Sequence, residues 1–318
     1  MTEVSTNGRS MSREPVRWGF GSPGPLRDKL TSLAIGGGKV VTTSLLADYE
    51  IEGNPVEQPG DIAILLDSGE RPLAMIENVL AKVIRLADMT DEDAIDEGEG
   101  YANAAAFRVS HEDHWNGYLD EVREGLGNPG FTITDDTLVV AERFRITGLL
   151  DSDGLPFDPT VRPAYPVDRP RVDAFLAANN ADVVARLNEI VDARRHPALI
   201  AEVDGAIAGV LTWVLRGPSM EVLTLHAARH WAGAGTALVA AARRVAEASG
   251  AHRLWLITTN DNVDALRFYQ RRGFRLTQVH ADAVDRSRAD LKPGIPETGE
   301  HGIAIHDEIE LELLLGGG

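Results

Sequence analysis

Residues 220–249 run as a strand, a turn and a helix, and the turn carries two glycines one residue apart. MEVLTL (220–225) is apolar and β-favouring, RHWAGAG (229–235) follows, and TALVAAARRVAEAS (236–249) is rich in strong helix formers. A chain that passes through glycines into a helix turns backbone N–H groups and the positive helix end outward, which suits phosphate oxygens. Three phosphate cradles compete for Gly233 and Gly235. A P-loop ends in Gly-Lys-Ser/Thr, yet Gly235 is followed by Thr236 and Ala237 with no lysine. A dinucleotide fingerprint needs a third glycine and an acid at the end of the next strand. Val239 and its neighbours offer no glycine, and RLWLITT (253–259) ends in threonine. What is left is a GxG pair before a helix, which by itself also serves close helix packing.

The segments around this turn alternate in a regular order. VDAFLAANNADVVARLNEIVDARR (172–195) is helical by period, and ALIAEV (198–203), Asp204-Gly205 and AIAGVLTWVL (206–215) read as a hairpin. RLWLITT is a strand, VDALRFYQRR (263–272) a helix, and FRLTQV (274–279) and IELEL (309–313) are strands. Upstream, DIAILL (61–66), LAMIENVLAKVI (73–84) and TLVVAERFRI (137–146) read as strands. Thr90, with Asp93 three residues on, and Ser110, with Asp113 three residues on, mark two helix starts. The Pro-, Asp- and Gly-rich stretch from Asp151 divides the chain. The expected fold class is α+β: a disordered N-terminus (1–16), a β-rich half with helices (17–150), a linker (151–160), and a mixed sheet flanked by helices (161–315).

Composition narrows the functions. The chain has 318 residues, 43% apolar, enough for about two domains. Its lack of cysteine excludes disulfides, thiolate sites and a cysteine-borne acyl group, and fits a reducing cytoplasm. Residues 1–16 are polar and lack the apolar stretch of a signal peptide, and no apolar run approaches the roughly 20 residues that span a bilayer. A cytoplasmic protein without membrane contact is expected. Residues 1–150 hold 13 Lys/Arg against 26 Asp/Glu, and residues 151–318 hold 18 against 23, which together give −18. Such a surface repels phosphate backbones, so strong general nucleic-acid binding is not expected. The basic stretch of the first half is residues 9–39, with Arg9, Arg13, Arg17, Arg27, Lys29 and Lys39 against Glu14 and Asp28.

Downstream of the glycines, Asn262-x2-Ala265-x3-Tyr269-x3-Gly273-Phe274 follows at a fixed separation. With the strand, His230-x2-Gly233-x-Gly235 and the helix, this strongly resembles the GNAT acetyltransferases over about residues 161–315. The resemblance implies acetyl-CoA as co-substrate and no metal. Its pyrophosphate would lie on Gly233, Ala234, Gly235 and Thr236, with Trp231 and Ala232 forming the turn and Leu225 and Asn262 also contacting the cofactor. The family usually carries Arg or Gln where this chain has His230, which is mostly neutral near pH 7; Arg229 beside it compensates for weakened phosphate affinity. Tyr269 matches the family's tyrosine, a general acid for the departing CoA thiolate.

Amine acetylation needs a neutral amine, and for a lysine-like amine deprotonation at neutral pH costs about 4 kcal/mol. Glu221, on the strand leading to the glycine turn, is the candidate base, and an outward strand position is its alternative. The long segment 280–308 holds Asp282, Asp285, Asp290, Glu297, Glu300, Asp307 and Glu308 against Arg286, Arg288 and Lys292. It reads as a solvated loop or as a lid favouring a cationic amine. The acceptor would be a small amine or a nucleoside- or RNA-linked one.

In the first half, GGGKVVTTSL (36–45), LADMTDEDAIDEGEG (86–100) and HEDHWNGYL (111–119) resemble an ASCH domain, a β-barrel-like module of the PUA-like group. Members are associated with nucleic-acid binding, and some small ones resemble N4-acetylcytidine amidohydrolases using a Lys, Thr and Glu trio. Lys39, Thr42 and Glu97 fall on that pattern. Residues three apart on a regular strand face opposite ways, so Lys39 and Thr42 converge only if Gly36–Gly38 insert a turn or bulge. A desolvated Lys39 would then activate Thr42, with Glu97 orienting it; a surface Lys–Glu pair is the alternative. His111-Glu112-Asp113-His114 lacks the HExxH spacing of a metal site. Trp115, Trp18 and Phe20 read as core, although Trp18 and Phe20 also suit base stacking. The chain therefore reads as an acetyltransferase carrying a nucleotide-binding or amidohydrolase module, or as a non-catalytic acetyl-CoA sensor.

Overall fold

In the computed structural model, which describes residues 15–228 and 233–316, two large sheets carry the fold. The first consists of Val16–Trp18 (β1), Val41–Leu45 (β2), Ile62–Leu66 (β3), Pro72–Arg85 (β4) and Leu138–Leu149 (β5), in the order β1-β3-β4-β5-β2. The expected strands at 61–66, 73–84 and 137–146 are β3, β4 and β5. Helices Pro25–Ile35 (α1), Leu46–Glu52 (α2), Asp91–Asp96 (α3), Ala104–Asn116 (α4) and Leu119–Gly125 (α5) pack around them. Thr90 caps α3 as expected, accepting from the Asp93 amide at 3.1 Å. Ser110 caps nothing. Helix α4 starts at Ala104, where Asn103 accepts from the Ala106 amide at 2.9 Å, because Ala104–Ala106 propagate a helix that Ser110 only continues. Trp115 and Phe107 fill the core beneath it.

The second sheet consists of Thr160–Pro163 (β6), Ala198–Val203 (β9), Ala206–Arg216 (β10), Ser219–Ala227 (β11), Arg253–Thr259 (β12), Arg275–His280 (β13) and Glu308–Leu314 (β14). Between β6 and β9, Val183–Arg186 (β7) and Glu189–Asp192 (β8) form a separate hairpin. The large sheet runs β13-β14-β12-β11-β10-β9-β6. Helices Arg169–Ala178 (α6), Ala234–Ala248 (α7), Val263–Gln270 (α8) and Ala283–Asp290 (α9) cover it. The helix expected over 172–195 ends at Ala178. Asn180 has φ 53°, and Leu187 and Asn188 have φ 45° and 61°, so a tight hairpin turn joins two β-branched runs where the apolar period looked helical.

The two halves share one apolar core. Phe20, Ala34, Ile35, Phe144 and Ile146 from the first sheet and its helix pack in the same cluster as Leu199, Leu211, Met220, Leu238 and Leu254 from the second. Polar ties cross the same boundary. Ser32 and Ser249 meet at 2.9 Å, Arg244 donates to the Pro72 carbonyl at 3.0 Å, and the Ile146 amide donates to the Tyr165 hydroxyl at 2.7 Å. Tyr165 is buried, so Tyr165→Phe should leave a buried amide without an acceptor and lower stability by about 1–3 kcal/mol in denaturant titrations.

Candidate functional site

Strands β11 and β12 begin as a parallel pair and then part. Ser219–Val222 lie opposite Arg253–Leu256, and beyond Val222 the two strands no longer pair. The cause is local. On the other edge of β11, Thr224 faces Thr212 and Val222 faces Trp213, so Leu223 is an extra residue, and such a bulge bends its strand. Leu225 lies on the segment of β11 that has left β12. The next element after β11 is α7, whose first residue follows Gly233, a position close to Asp158 and Pro159. Gly233 caps the helix with φ 85°, a conformation that any other side chain resists. The first helical bond runs from the Ala237 amide to the Gly233 carbonyl, so the amides of Ala234, Gly235 and Thr236 have no acceptor within the helix. A Cβ on Gly235 would touch Phe268 at 3.4 Å. His230, Trp231, Ala232 and Arg229 lie outside the described residues.

Arg272 is a cation at this helix start that the sequence reading passed over. Its guanidinium stacks 3.5 Å above the Phe268 ring, donates to the Phe268 carbonyl at 2.8 Å and donates to the Thr236 hydroxyl. The visible signal is Arg272 four residues after Phe268, one turn along the same helix end. Asn262 caps α8, accepting from the Ala265 amide at 3.0 Å. Tyr269 is buried against Phe268 and Phe274, and that burial raises its phenol pKa.

Glu221 lies on the paired part of β11 and is fully enclosed. Arg186 of β7 grips it with nitrogens 2.7 and 2.8 Å from its two oxygens, and Arg216 approaches to 3.5 Å. Burial pushes its pKa up to about 7 although both arginines pull it down. A carboxylate held in this way supports the floor of the cleft. The surface strand position weighed from the sequence is ruled out by its burial.

The segment 280–308 is an ordered cover containing α9. Arg288 donates to the carbonyls of Ile295, Pro296 and Ile305, and the Asn260 side chain accepts from the amides of His306 and Asp307. Asp282, Asp285, Asp290 and Glu297 face solvent, whereas Glu308 is buried.

In the first half, Lys39 is 1% exposed and sits between two carboxylates. Its ammonium donates to Glu97 and, at 2.9 Å, to Glu99, and lies 5.5 Å from the centre of the Phe20 ring. Gly98 makes the approach possible, because a Cβ there would fall 2.1 Å from the Gly38 carbonyl oxygen. Burial raises the Glu97 pKa to about 7 against the pull of Lys39, and Thr43 also favours its ionised form. Thr43 Oγ1 and Glu97 Oε1 are buried and off the geometry of a full hydrogen bond with any partner. Thr43, not Thr42, is thus the hydroxyl beside Glu97, because alternation along β2 turns Thr42 to the opposite face. There Thr42 is in register with Glu142, which accepts from Tyr49 at 3.0 Å and Asn78 at 3.2 Å. Phe20 packs in the core, Arg27 is engaged by Glu70 at 2.8 Å, and Lys29 is exposed. Arg9 and Arg13 lie outside the described residues.

Two family models match these two halves. Residues 16–147 match the ASCH domain, and residues 162–274 match the acetyltransferase (GNAT) family. The chain joins an ASCH domain to a GNAT-family acetyltransferase domain. Among curated relatives, YdhI of Bacillus subtilis is 43% identical over 105 residues, which are 33% of this chain and 65% of YdhI. YxbD of the same organism is 37% identical over 108 residues, 34% of this chain and 67% of YxbD. The chain therefore spans about two thirds of each relative's length. Among solved structures, an ASCH domain from Lactobacillus crispatus is 21% identical, with TM-score 0.36, covering 41% of this chain and 78% of that one. A Bacillus subtilis acetyltransferase crystallised with CoA is 26% identical, with TM-score 0.34, covering 38% and 78%.

The ASCH domain also carries a titratable pair on the far side of β2. Burial first, and the Glu57 carboxyl beside it second, push Glu142 up to about 8. A carboxyl raised in the folded state contributes stability that is complete below its ordinary value near 4.5 and is lost as pH rises through about 8. Thermal melting should therefore fall over that pH window, and fall less steeply in Glu142→Gln.

Proposed function

We propose that the GNAT domain transfers acetyl from acetyl-CoA directly to an amine. The parting of β11 and β12, with α7 the next element of the chain, carries this reading. The amides of Ala234, Gly235 and Thr236, which have no acceptor within the helix, the positive end of α7 and the Arg272 guanidinium together suit a pyrophosphate, with Gly233 opening the helix there. Arg272 would also supply the charge that His230 lacks. The edge of β11 that has lost β12, including Leu225, offers backbone groups to the amide-bearing arm of the cofactor. Asn262 holds the start of α8 and so sets the position of Tyr269. Burial keeps the Tyr269 phenol protonated, ready to give its proton to the departing thiolate. Glu221 is best suited to hold Arg186 and the cleft floor. Tyr269→Phe should slow turnover by about 10²-fold with CoA binding intact; unchanged turnover would remove Tyr269 from the mechanism. Failure of the wild-type protein to bind CoA in calorimetry would remove the reading itself and leave no acetyl-CoA sensor either.

A second reading concerns the ASCH domain. The buried Lys39–Glu97–Thr43 group favours hydrolysis of an N-acetylated nucleoside of the N4-acetylcytidine type. The Thr43 oxygen would attack the acyl carbon while Glu97 takes its proton and passes it to the departing amine; water then releases acetate. Lys39, held by two carboxylates, acts as a fixed positive charge. N4-acetylcytidine should be converted to cytidine, and Lys39→Ala or Thr43→Val, but not Thr42→Val, should abolish this. No conversion by the wild-type protein would leave the domain as a nucleotide- or RNA-ligand module.

A further inference from the structure

Beneath α9 lies a cavity of about 170 Å3 that nothing in the fold requires. It is walled by Val183, Val184 and Ala185 of the β7–β8 hairpin, Val284 of α9 and Ile295 beyond it. Five polar side chains line it, Asn180, Thr259, Ser287, Lys292 and Glu308, and the Lys292 ammonium is taken up by the Val183 carbonyl. Thr259 ends β12, where that strand has parted from β11; Glu308 starts β14 directly opposite Thr259; and Ser287 comes from α9. Glu308 is 2% exposed and Ser287 is 1% exposed. Among the described residues the Ser287 hydroxyl has no hydrogen-bond partner, which for so buried a group points to a missing ligand atom. One Glu308 oxygen accepts from the Leu187 amide at 2.8 Å. The cover is tied in place over this space by Lys292, which donates to the Val183 carbonyl at 2.8 Å.

We propose that this cavity binds the acetyl acceptor as a compact primary ammonium ion, with Glu308 receiving the charge and then the proton, and Ser287 accepting from the ammonium. The proposal rests on the acetyltransferase reading of the cleft and adds to it the acceptor's size, its charge and the base. A cavity of roughly 150 Å3 accommodates benzene, so this one takes a skeleton of about six to eight heavy atoms, not a folded protein surface. Apart from Ser287, Glu308, Thr259, Asn180 and Lys292 its walls are aliphatic, so most of the skeleton beyond the ammonium is apolar. A buried ammonium needs an opposite charge within contact, and Glu308 is the acid that lines the space. Glu221 is enclosed by Arg186 and cannot touch a substrate.

The step balances as follows. The ammonium gives one proton to Glu308, and the neutral nitrogen attacks the thioester carbonyl carbon. A C–N bond forms, the C–S bond breaks, and the sulfur leaves as thiolate and takes the Tyr269 proton. Of the two protons that leave the nitrogen by way of Glu308, one goes to solvent and the other restores the Tyr269 phenol, so both side chains end as they began. The net change is ammonium plus acetyl-CoA to amide, CoA thiol and one proton. Burial raises the Glu308 pKa, which brings a carboxyl closer to the basicity of its task. The other charges acting on it are His280 on β13, Arg186 on β7 and Arg286 on α9.

The test uses the full chain, with benzylamine and histamine as compact amines, a peptide with a free N-terminus as the large acceptor, and calorimetry beside steady-state kinetics. Compact amines should bind and be acetylated in preference to the peptide. Glu308→Gln should lower kcat/KM for them by about 10²–10⁴-fold, flatten the rise of kcat/KM with pH and abolish amine binding, with CoA binding unchanged. Ser287→Leu, which fills the cavity with apolar bulk, should raise KM for compact amines at least tenfold with CoA binding kept. Equal amine binding and turnover in Glu308→Gln would overturn the proposal, as would acetylation of the peptide that Ser287→Leu does not affect. Amine binding is read directly, so loss of CoA binding by the wild-type protein would refute the cleft reading and still leave the cavity tested. Binding of neither compact amine to the wild-type protein would overturn the cavity's role whatever the cleft does.

Discussion

The separation of β11 from β12 is the constraint on which the acetyltransferase half depends. A parallel sheet gains by pairing every strand along its length, so an early end to pairing leaves backbone groups without partners. The bulge at Leu223 turns β11 away after Val222 and leaves that edge of β11 and the end of β12 without each other as partners. The strands remain anchored where they are paired. Met220 and Leu254 are fully buried there, each contributing about 1.5–3 kcal/mol of apolar burial that holds the closed end of the cleft while its mouth is open.

Charge on this sheet is matched by opposite charge. Arg186 and Arg216 meet Glu221 below the cleft, and Arg253 meets Glu310 at 3.1 Å and Glu312 at 2.9 Å on the neighbouring strands. Burying Glu221 without a partner would be costly, so its position specifies the arginine it needs. The hairpin β7–β8 is held in this way, since Arg186 is the last residue of β7 and its guanidinium lies on β11. In the ASCH half the same logic is stricter. Lys39 is nearly inaccessible and is satisfied only because the chain at Gly98 lies against the chain at Gly38 closely enough to deliver Glu97.

The two domains pack as one body of apolar side chains. Helix α1 of the ASCH half and α7 of the acetyltransferase half lie against each other, and Tyr165 hydrogen-bonds across to β5. A desolvated boundary of this kind resists independent motion of the halves, unlike the polar interfaces over which domains commonly slide. The Lys39 group and the β11–β12 cleft are therefore held at a fixed separation by the core itself.

Much of this was legible in the amino-acid order because local physics decides it. The short apolar runs gave β3, β4, β5, β9, β10 and β12, the alternation of IELEL gave β14, the Asp204-Gly205 turn gave its hairpin, and Thr90 gave a helix start, each from residues near one another in the chain. The spacing from Gly233 to Tyr269 pointed to the acetyltransferase half, and Lys39 and Glu97 were singled out although 58 residues separate them. Tertiary packing decided the rest. The hairpin at 183–192 took over a segment with a helical apolar period because Arg186 reaches Glu221 from a strand end. Thr43 replaced Thr42 because strand register, not spacing from Lys39, sets which hydroxyl faces Glu97. Arg272 and Glu308 became site residues only through neighbours far along the chain, Thr236 and Thr259. Sequence alone determines the elements and the residue types available to a site. Which carboxylate is locked into an ion pair and which faces an open cavity depends on burial and distance, and these exist only once the sheets have packed.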